Sequence, residues 1–268
     1  MQAMSFSDKN LPRNQGIIFT DFDGTLLNSS GFIALENYEA LKTAGEAGYL
    51  RVIATGRSLF SFKRASSRLE RPIDEYIDFL IFSSGTAVLE TGSDEPCDLK
   101  NLDGSSAAEA AGLLFRHGID FMLQDPAPLN HRMVHVKANG AVNPDFYRRI
   151  NIYSEFSSPI ELNGDESETE AIERLCMKGL SQIIAIIPSA GNQDNEKFSF
   201  QMLEFLRAKL PDCSIIRTTS PIDHKSLWIE IFNPEVSKSR AAERLARRFG
   251  FSAENCLAIG NDFNDEDL

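Results

Sequence analysis

Short apolar runs, each followed by a polar turn and an amphipathic stretch, recur at both ends of the chain. Ile17–Thr20 is apolar and partly β-branched and runs into Asp21, Phe22, Asp23 and Gly24, which predicts a buried strand leading into a sharp turn. Side chains alternate along a strand, so Asp21 and Asp23 are expected on one side and Phe22 on the other. Gly24 lets the backbone leave the strand, and Thr25 is expected to bond within its own turn. Glu36–Ala47 then carries Tyr38, Leu41, Ala44 and Ala47 at helical spacing, with Gly48 as a stop. Tyr49–Ala54 is a second predicted strand, ending in Thr55, Gly56 and Arg57; Ser58 is placed to cap a helix reaching about Glu70. Phe79–Phe82 is a third, ending in Ser83, Ser84 and Gly85. Three strand–loop–helix units in succession predict an α/β fold built on a Rossmann-like, doubly wound parallel sheet.

The rhythm changes at Ala87. Ser106–His117 reads as a helix with Ser106 and Glu109 at capping-box spacing and Gly118 as its stop. Short strands are expected at Phe121–Leu123, Met133–Lys137, Gln182–Ile187, Cys213–Thr219 and Leu227–Phe232. Helices are expected over Asp145–Phe156, Ser167–Lys178 and Glu196–Lys209, and 191–195 is a polar loop. Strict alternation is lost, so 87–232 is read as an α+β insert between two core segments, 1–86 and 233–268. The first 14 residues of the chain are expected to be a loose tail. Alternation returns with a helix starting at Ser237 or Ser239, whose Ala242, Leu245, Ala246 and Phe249 form one face before Gly250. A fourth parallel strand, Cys256–Ile259, ends in Gly260, Asn261, Asp262, Phe263, Asn264 and Asp265. The chain ends soon after, at Leu268, where such a sheet usually adds a further strand and helix; this predicts a fragment.

Length and composition narrow the function classes. A chain of 268 residues with 42% hydrophobic and 25% charged residues has the profile of a globular protein with a sizeable core. Its net charge of −12 argues against a nucleic-acid partner and obliges any phosphate site to supply its own cations. The four cysteines are scattered without a CxxC pair, which fits reduced thiols, a cytoplasmic setting and no zinc site. No signal peptide and no membrane-spanning run is expected.

The candidate chemistry gathers where the predicted parallel strands end: Asp21 and Asp23, Thr55, Ser83 and Ser84, and Asn261–Asp265. Open α/β sheets bind ligands along that carboxyl edge. Two carboxylates at the end of a greasy strand need a metal ion or a cationic side chain beside them. Arg57 either touches substrate or pairs with an acid, and Ser84 either bonds a phosphate oxygen or closes its turn. His131, Arg132, His224 and Lys225, in loops of the insert, either read the leaving group of a substrate or are ordinary loop residues, the second reading being preferred. Phe60, Phe62, Phe198, Phe200 and Phe205 are read as core, and Trp228 as packing within the insert.

The segments DFDGTLL, ATGR (Ala54–Arg57), EVSKS around Lys238 and GNDFND resemble the four motifs of the haloacid dehalogenase superfamily. The long insert resembles a type IIB cap, near the Cof-type sugar-phosphate phosphatases. The resemblance implies a Mg²⁺-dependent phosphomonoester hydrolase acting on a small phosphorylated metabolite of the sugar-phosphate kind. Asp21 would be the nucleophile, Asp23 the general acid and base, Thr55 a phosphoryl-oxygen donor and Lys238 the charge-balancing cation. Gly24, Arg57, Ser84 and Gly85 become the candidate substrate contacts, and Asp21, Asp23, Asn261 and Asp265 the candidate Mg²⁺ ligands. The fourth motif departs from the usual pattern: Asn261 stands where the family has Asp, bringing an oxygen without a charge, and neighbouring Asp262 is an alternative ligand. Two other readings stay open, a phosphomutase-type phosphotransferase and a non-catalytic phosphosugar-binding protein.

Overall fold

The structure is a computed structural model describing residues 15–138, 142–188, 193–220, 222–261, 265 and 268. The expected loose tail lies outside the described residues, as do Asp262 and Asn264. In chain order the elements are β1 (Gly16–Asp21), α1 (Leu35–Glu46), β2 (Tyr49–Ala54), α2 (Leu59–Ser66), β3 (Phe79–Phe82), β4 (Ala87–Glu90) and β5 (Asp98–Leu99). They continue with α3 (Gly104–Arg116), β6 (Asp120–Gln124), β7 (Met133–Val136), α4 (Pro144–Ile152), β8 (Ser157–Pro159), α5 (Glu168–Cys176) and β9 (Gln182–Ile187). The last are α6 (Gln193–Lys209), β10 (Ser214–Thr219), β11 (Leu227–Phe232), α7 (Lys238–Arg248) and β12 (Cys256–Ile259). The polar loop expected over 191–195 is thus helical from Gln193, its earlier part lying outside the described residues.

Two compact units emerge. The first comprises the chain up to Gly56, Lys63–Asp98 and Ser237 onward; the second comprises Arg57–Phe62 and Leu99–Val236. The first unit holds a sheet in the order β12-β1-β2-β3-β4-β5, with β12, β1, β2 and β3 parallel. β4 pairs antiparallel to β3, so the change of rhythm at Ala87 begins inside this sheet, with Ala87 opposite Phe82. Ile17, Phe19, Val52, Ala54 and Ile81 form a buried cluster with Ala241, Ala242, Leu245 and Ala246 of α7. Each fully buried aliphatic side chain in such a cluster is worth about 1.5–3 kcal/mol. The run of alanines lets α7 lie close to the sheet, so the start of the helix is held near the strand ends.

The second unit holds a sheet in the order β10-β11-β9-β6-β7-β8, antiparallel except for the β7–β8 pair. One face packs Phe121, Ile183, Ala185 and Ile229 against Leu114 of α3, Ile172 of α5 and Leu206 of α6. The other face packs Met122, Ile186 and Trp228 against Phe146 of α4. The two ends of this unit are tied together: Asn233 Nδ2 donates to the Asn101 carbonyl at 3.0 Å, and Lys100 pairs with Glu235 at 2.6 Å. Of the phenylalanines expected in core, Phe62 is buried, whereas Phe60, Phe198 and Phe200 are exposed. The Arg217 guanidinium lies over the Phe200 ring at 4.3 Å and covers part of a residue that stays half-exposed.

Candidate active site

β1 delivers Asp21 as its last residue, and only 5% of Asp21 is exposed. The chain then folds into a tight loop: the Gly24 amide donates to the Leu27 carbonyl at 2.8 Å and the Leu27 amide to the Phe22 carbonyl at 2.7 Å. Phe22 is fully buried, as strand alternation predicts, but Asp23 is solvent-exposed on the loop. Thr25 reaches beyond its own turn. Its hydroxyl donates to Asn261 Oδ1 at 2.9 Å and so ties the first loop to the loop after β12.

α7 brings the cation. Ser237 is its N-cap, the hydroxyl accepting from the Arg240 amide at 3.0 Å, which fixes Lys238 as the first helical residue. The Lys238 ammonium is 2.7 Å from Asp21 Oδ1 and 2.7 Å from Asp265 Oδ1, with 4% of the residue exposed. Burial works to lower the Lys238 pKa, but the hydrogen bonds to Asp21 and Asp265 outweigh it and hold it above the usual lysine range. For Asp21 burial is the larger influence and raises its carboxyl pKa despite the Lys238 hydrogen bond. Asp265 is held in turn by the Asn261 amide, which donates to its Oδ2 at 3.3 Å. Gly260 permits this closeness, since a Cβ there would lie 2.3 Å from Asp265 Cβ.

Thr55, just past β2, is buried; its amide donates to the Ile81 carbonyl at 2.9 Å, and its carbonyl accepts from the Ser84 amide at 3.1 Å. Ser83 and Ser84 both have left-handed backbone, φ +52° and +56°, costing about 1–2 kcal/mol each for an L-residue. Gly85 follows at φ +97°, where an added Cβ would lie 2.1 Å from the Ser237 carbonyl oxygen. The loop closing β3 therefore touches both Thr55 and the cap of α7. Arg57 Nη1 donates to the Ser61 hydroxyl at 3.3 Å. Arg244, absent from the sequence reading, also reaches this loop: its Nη2 donates to the Gly85 carbonyl at 3.3 Å, while its Nε donates to Asp98 Oδ2 at 2.7 Å. No short motif links positions so far apart in the chain.

Asp21, Asp265 and Asn261 offer only oxygen side-chain donors, the set that suits a hard divalent cation. Among the described residues no three His, Cys, Asp or Glu side chains converge, and Asp262, the alternative ligand, lies outside those residues. Among those residues, too, no helix is long and apolar enough to cross a membrane.

A family model for haloacid dehalogenase-like hydrolases matches residues 18–268. The chain is similar to 5-amino-6-(5-phospho-D-ribitylamino)uracil phosphatase YwtE of Bacillus subtilis (strain 168), 28% identical over 259 residues, spanning 92% of this chain and 82% of that protein. A second phosphatase of the same description and organism, YcsE, is 21% identical over 93% of this chain and 78% of its own length. Among solved structures, BT1666 from Bacteroides thetaiotaomicron, described among phosphatases of the haloalkanoate enzyme superfamily, superposes with a TM-score of 0.65 at 16% identity over 99% of this chain and 84% of that one. The subclass IIB sugar phosphatase BT4131 gives 0.59 at 18% identity, over 93% and 82%. At these identities the two structures speak for the fold, a Rossmann-like core sheet with an inserted α+β unit.

Proposed function

The chain belongs to the haloacid dehalogenase-like hydrolases, and we propose that it is a phosphatase of small phosphorylated metabolites of the sugar-phosphate class, working through an aspartyl-phosphate on Asp21. The observation that carries this reading is the Lys238 ammonium shared by Asp21 and Asp265 at the carboxyl edge of the parallel sheet.

In the first step an Asp21 carboxylate oxygen attacks phosphorus as the bond to the substrate oxygen breaks, and Asp23 gives that oxygen its proton. In the second, Asp23 takes a proton from water, the water oxygen attacks phosphorus, and inorganic phosphate leaves with Asp21 regenerated. Asp23 is solvent-exposed on the loop that follows Asp21. Lys238 balances charge on Asp21 and on the transferring group, and the Thr55 hydroxyl donates to a phosphoryl oxygen. Gly24, Ser84 and Gly85 on the surrounding loops, with Arg57 beyond Thr55, are the assigned substrate contacts. Asp21, Asp265 and Asn261 would hold Mg²⁺, which when bound neutralises phosphoryl-oxygen charge; the Asp23 carboxylate, expected to join them, does not converge with those of Asp21 and Asp265.

The compound named for the two Bacillus relatives carries its phosphate on a ribityl chain, so it fits this class and heads the test panel. Phosphate release is measured from phosphorylated metabolites with wild type and Asp21→Asn, each with Mg²⁺ and with chelator. Release should need both Mg²⁺ and Asp21, the variant losing on the order of 10⁴-fold or more. Undiminished release by Asp21→Asn refutes the mechanism. Transfer to a second sugar hydroxyl identifies a mutase, and binding by folded wild type without release identifies a binding protein.

A further inference from the structure

We propose that Arg244 is a positioning residue of this site: through the Ser83–Gly85 loop it fixes Thr55 relative to Lys238. The proposal rests on the roles assigned above to Thr55 and Lys238, but its geometry stands on contacts of its own.

The Ser83–Gly85 loop is a spacer with an attachment on each side. On one side the Ser84 amide donates to the Thr55 carbonyl at 3.1 Å. On the other, Gly85 lies against the Ser237 carbonyl, closely enough to leave no room for a side chain, and Ser237 caps the helix that begins with Lys238. Two successive L-residues in left-handed backbone persist only where their surroundings hold them. Packing alone secures Gly85 from the Ser237 side. Arg244 supplies the directional bond, its Nη2 on the Gly85 carbonyl, while Nε on Asp98 Oδ2 fixes the guanidinium itself. A guanidinium fork serves both acceptors from one rigid plane, which a lysine ammonium does not. Arg244 sits on α7 with Lys238, so loop and cation are referred to one helix. Phosphoryl transfer gains its rate from placement, and a displacement of about 1 Å can cost 10²-fold.

The test is kinetic and structural. Arg244→Ala and Arg244→Lys are compared with wild type on the best panel substrate, with Arg240→Ala on the exposed side of the same helix as control. Arg244→Ala should lower kcat by about 10–100-fold with KM within about threefold. Guanidinium ion, at concentrations that leave the protein folded, should restore kcat by roughly tenfold where sodium at equal ionic strength does not. Arg244→Lys should stay low, and Arg240→Ala should match wild type. An unchanged kcat in folded Arg244→Ala, or a loss that guanidinium does not reverse, overturns the proposal. A readout independent of turnover accompanies these: hydrogen exchange at the Ser84 amide should quicken by about tenfold or more in Arg244→Ala and not in Arg240→Ala. Unchanged Ser84 exchange overturns the proposal even if the phosphatase reading itself fails, and quickened exchange without any phosphate release assigns the failure to that reading alone.

Discussion

Glu230 lies partly buried on β11, its carboxylate accepting from the Thr218 hydroxyl at 2.8 Å and from the Gln182 side-chain amide. Loss of solvent raises its pKa above the ordinary 4.5, against the opposing pull of the Thr218 hydrogen bond and the Arg149 charge. The folded state therefore holds this proton to higher pH than the unfolded chain does. The stability it contributes is fully present below about pH 4.5 and is lost as pH rises through the raised value. Glu230→Gln, neutral throughout, should gain stability over wild type between pH 4 and pH 7; a urea midpoint difference that does not move with pH refutes this. At this scale the sequence discloses some partners and hides others. Asp21 and Lys238 stand in recognisable local patterns, and they do meet. Thr25 reads locally as a turn residue, yet its hydroxyl serves Asn261 from the far end of the chain. A side chain's nearest acceptor is set by the fold, and its sequence neighbours carry no record of it.

Strands were the more legible elements, because a short apolar run between polar turns has little choice of limits: Tyr49–Ala54, Phe79–Phe82, Gln182–Ile187 and Cys256–Ile259 form as predicted. Helix ends were less so. The spacing of Ser106 and Glu109 suggests a capping box, but Asp103 Oδ1 accepts from the Ser106 amide at 3.0 Å and starts α3 earlier. α4 stops at Ile152, short of the predicted Phe156, because the chain turns there to supply β8. A complete capping box does form at α5, where Ser167 and Glu170 satisfy each other's backbone amides. Ser167→Ala should cost about 1 kcal/mol in denaturant unfolding, while Ser106→Ala, which leaves the Asp103 cap on the Ser106 amide in place, should cost clearly less. Equal costs for the two would show that the assignment of caps is wrong. The exposed Phe198 and Phe200 mark the same limit, for helical periodicity gives a face without saying what covers it.

At the scale of the molecule, the alternation of strands and helices disclosed the parallel sheet, and Asp21 and Thr55 do lie at the ends of its strands. The division into units was less legible, since β4 and β5 belong to the first sheet although they follow the break in rhythm. The second unit has its own sheet and its own buried clusters. The fragment 99–236 should therefore fold alone, with a cooperative urea transition and, in circular dichroism, the mixed helix and strand signal of the elements its described residues form. A non-cooperative, coil-like fragment would refute this. The joint that makes such excision reasonable is the pair of contacts between Asn101 and Asn233 and between Lys100 and Glu235. Seen from the gene, that joint is a natural crossover point: an ancestor could acquire, lose or trade the intervening stretch in one recombination event, leaving the reading frame of Asp21 and Lys238 untouched on either side. Descent could then vary quickly within the stretch and slowly outside it.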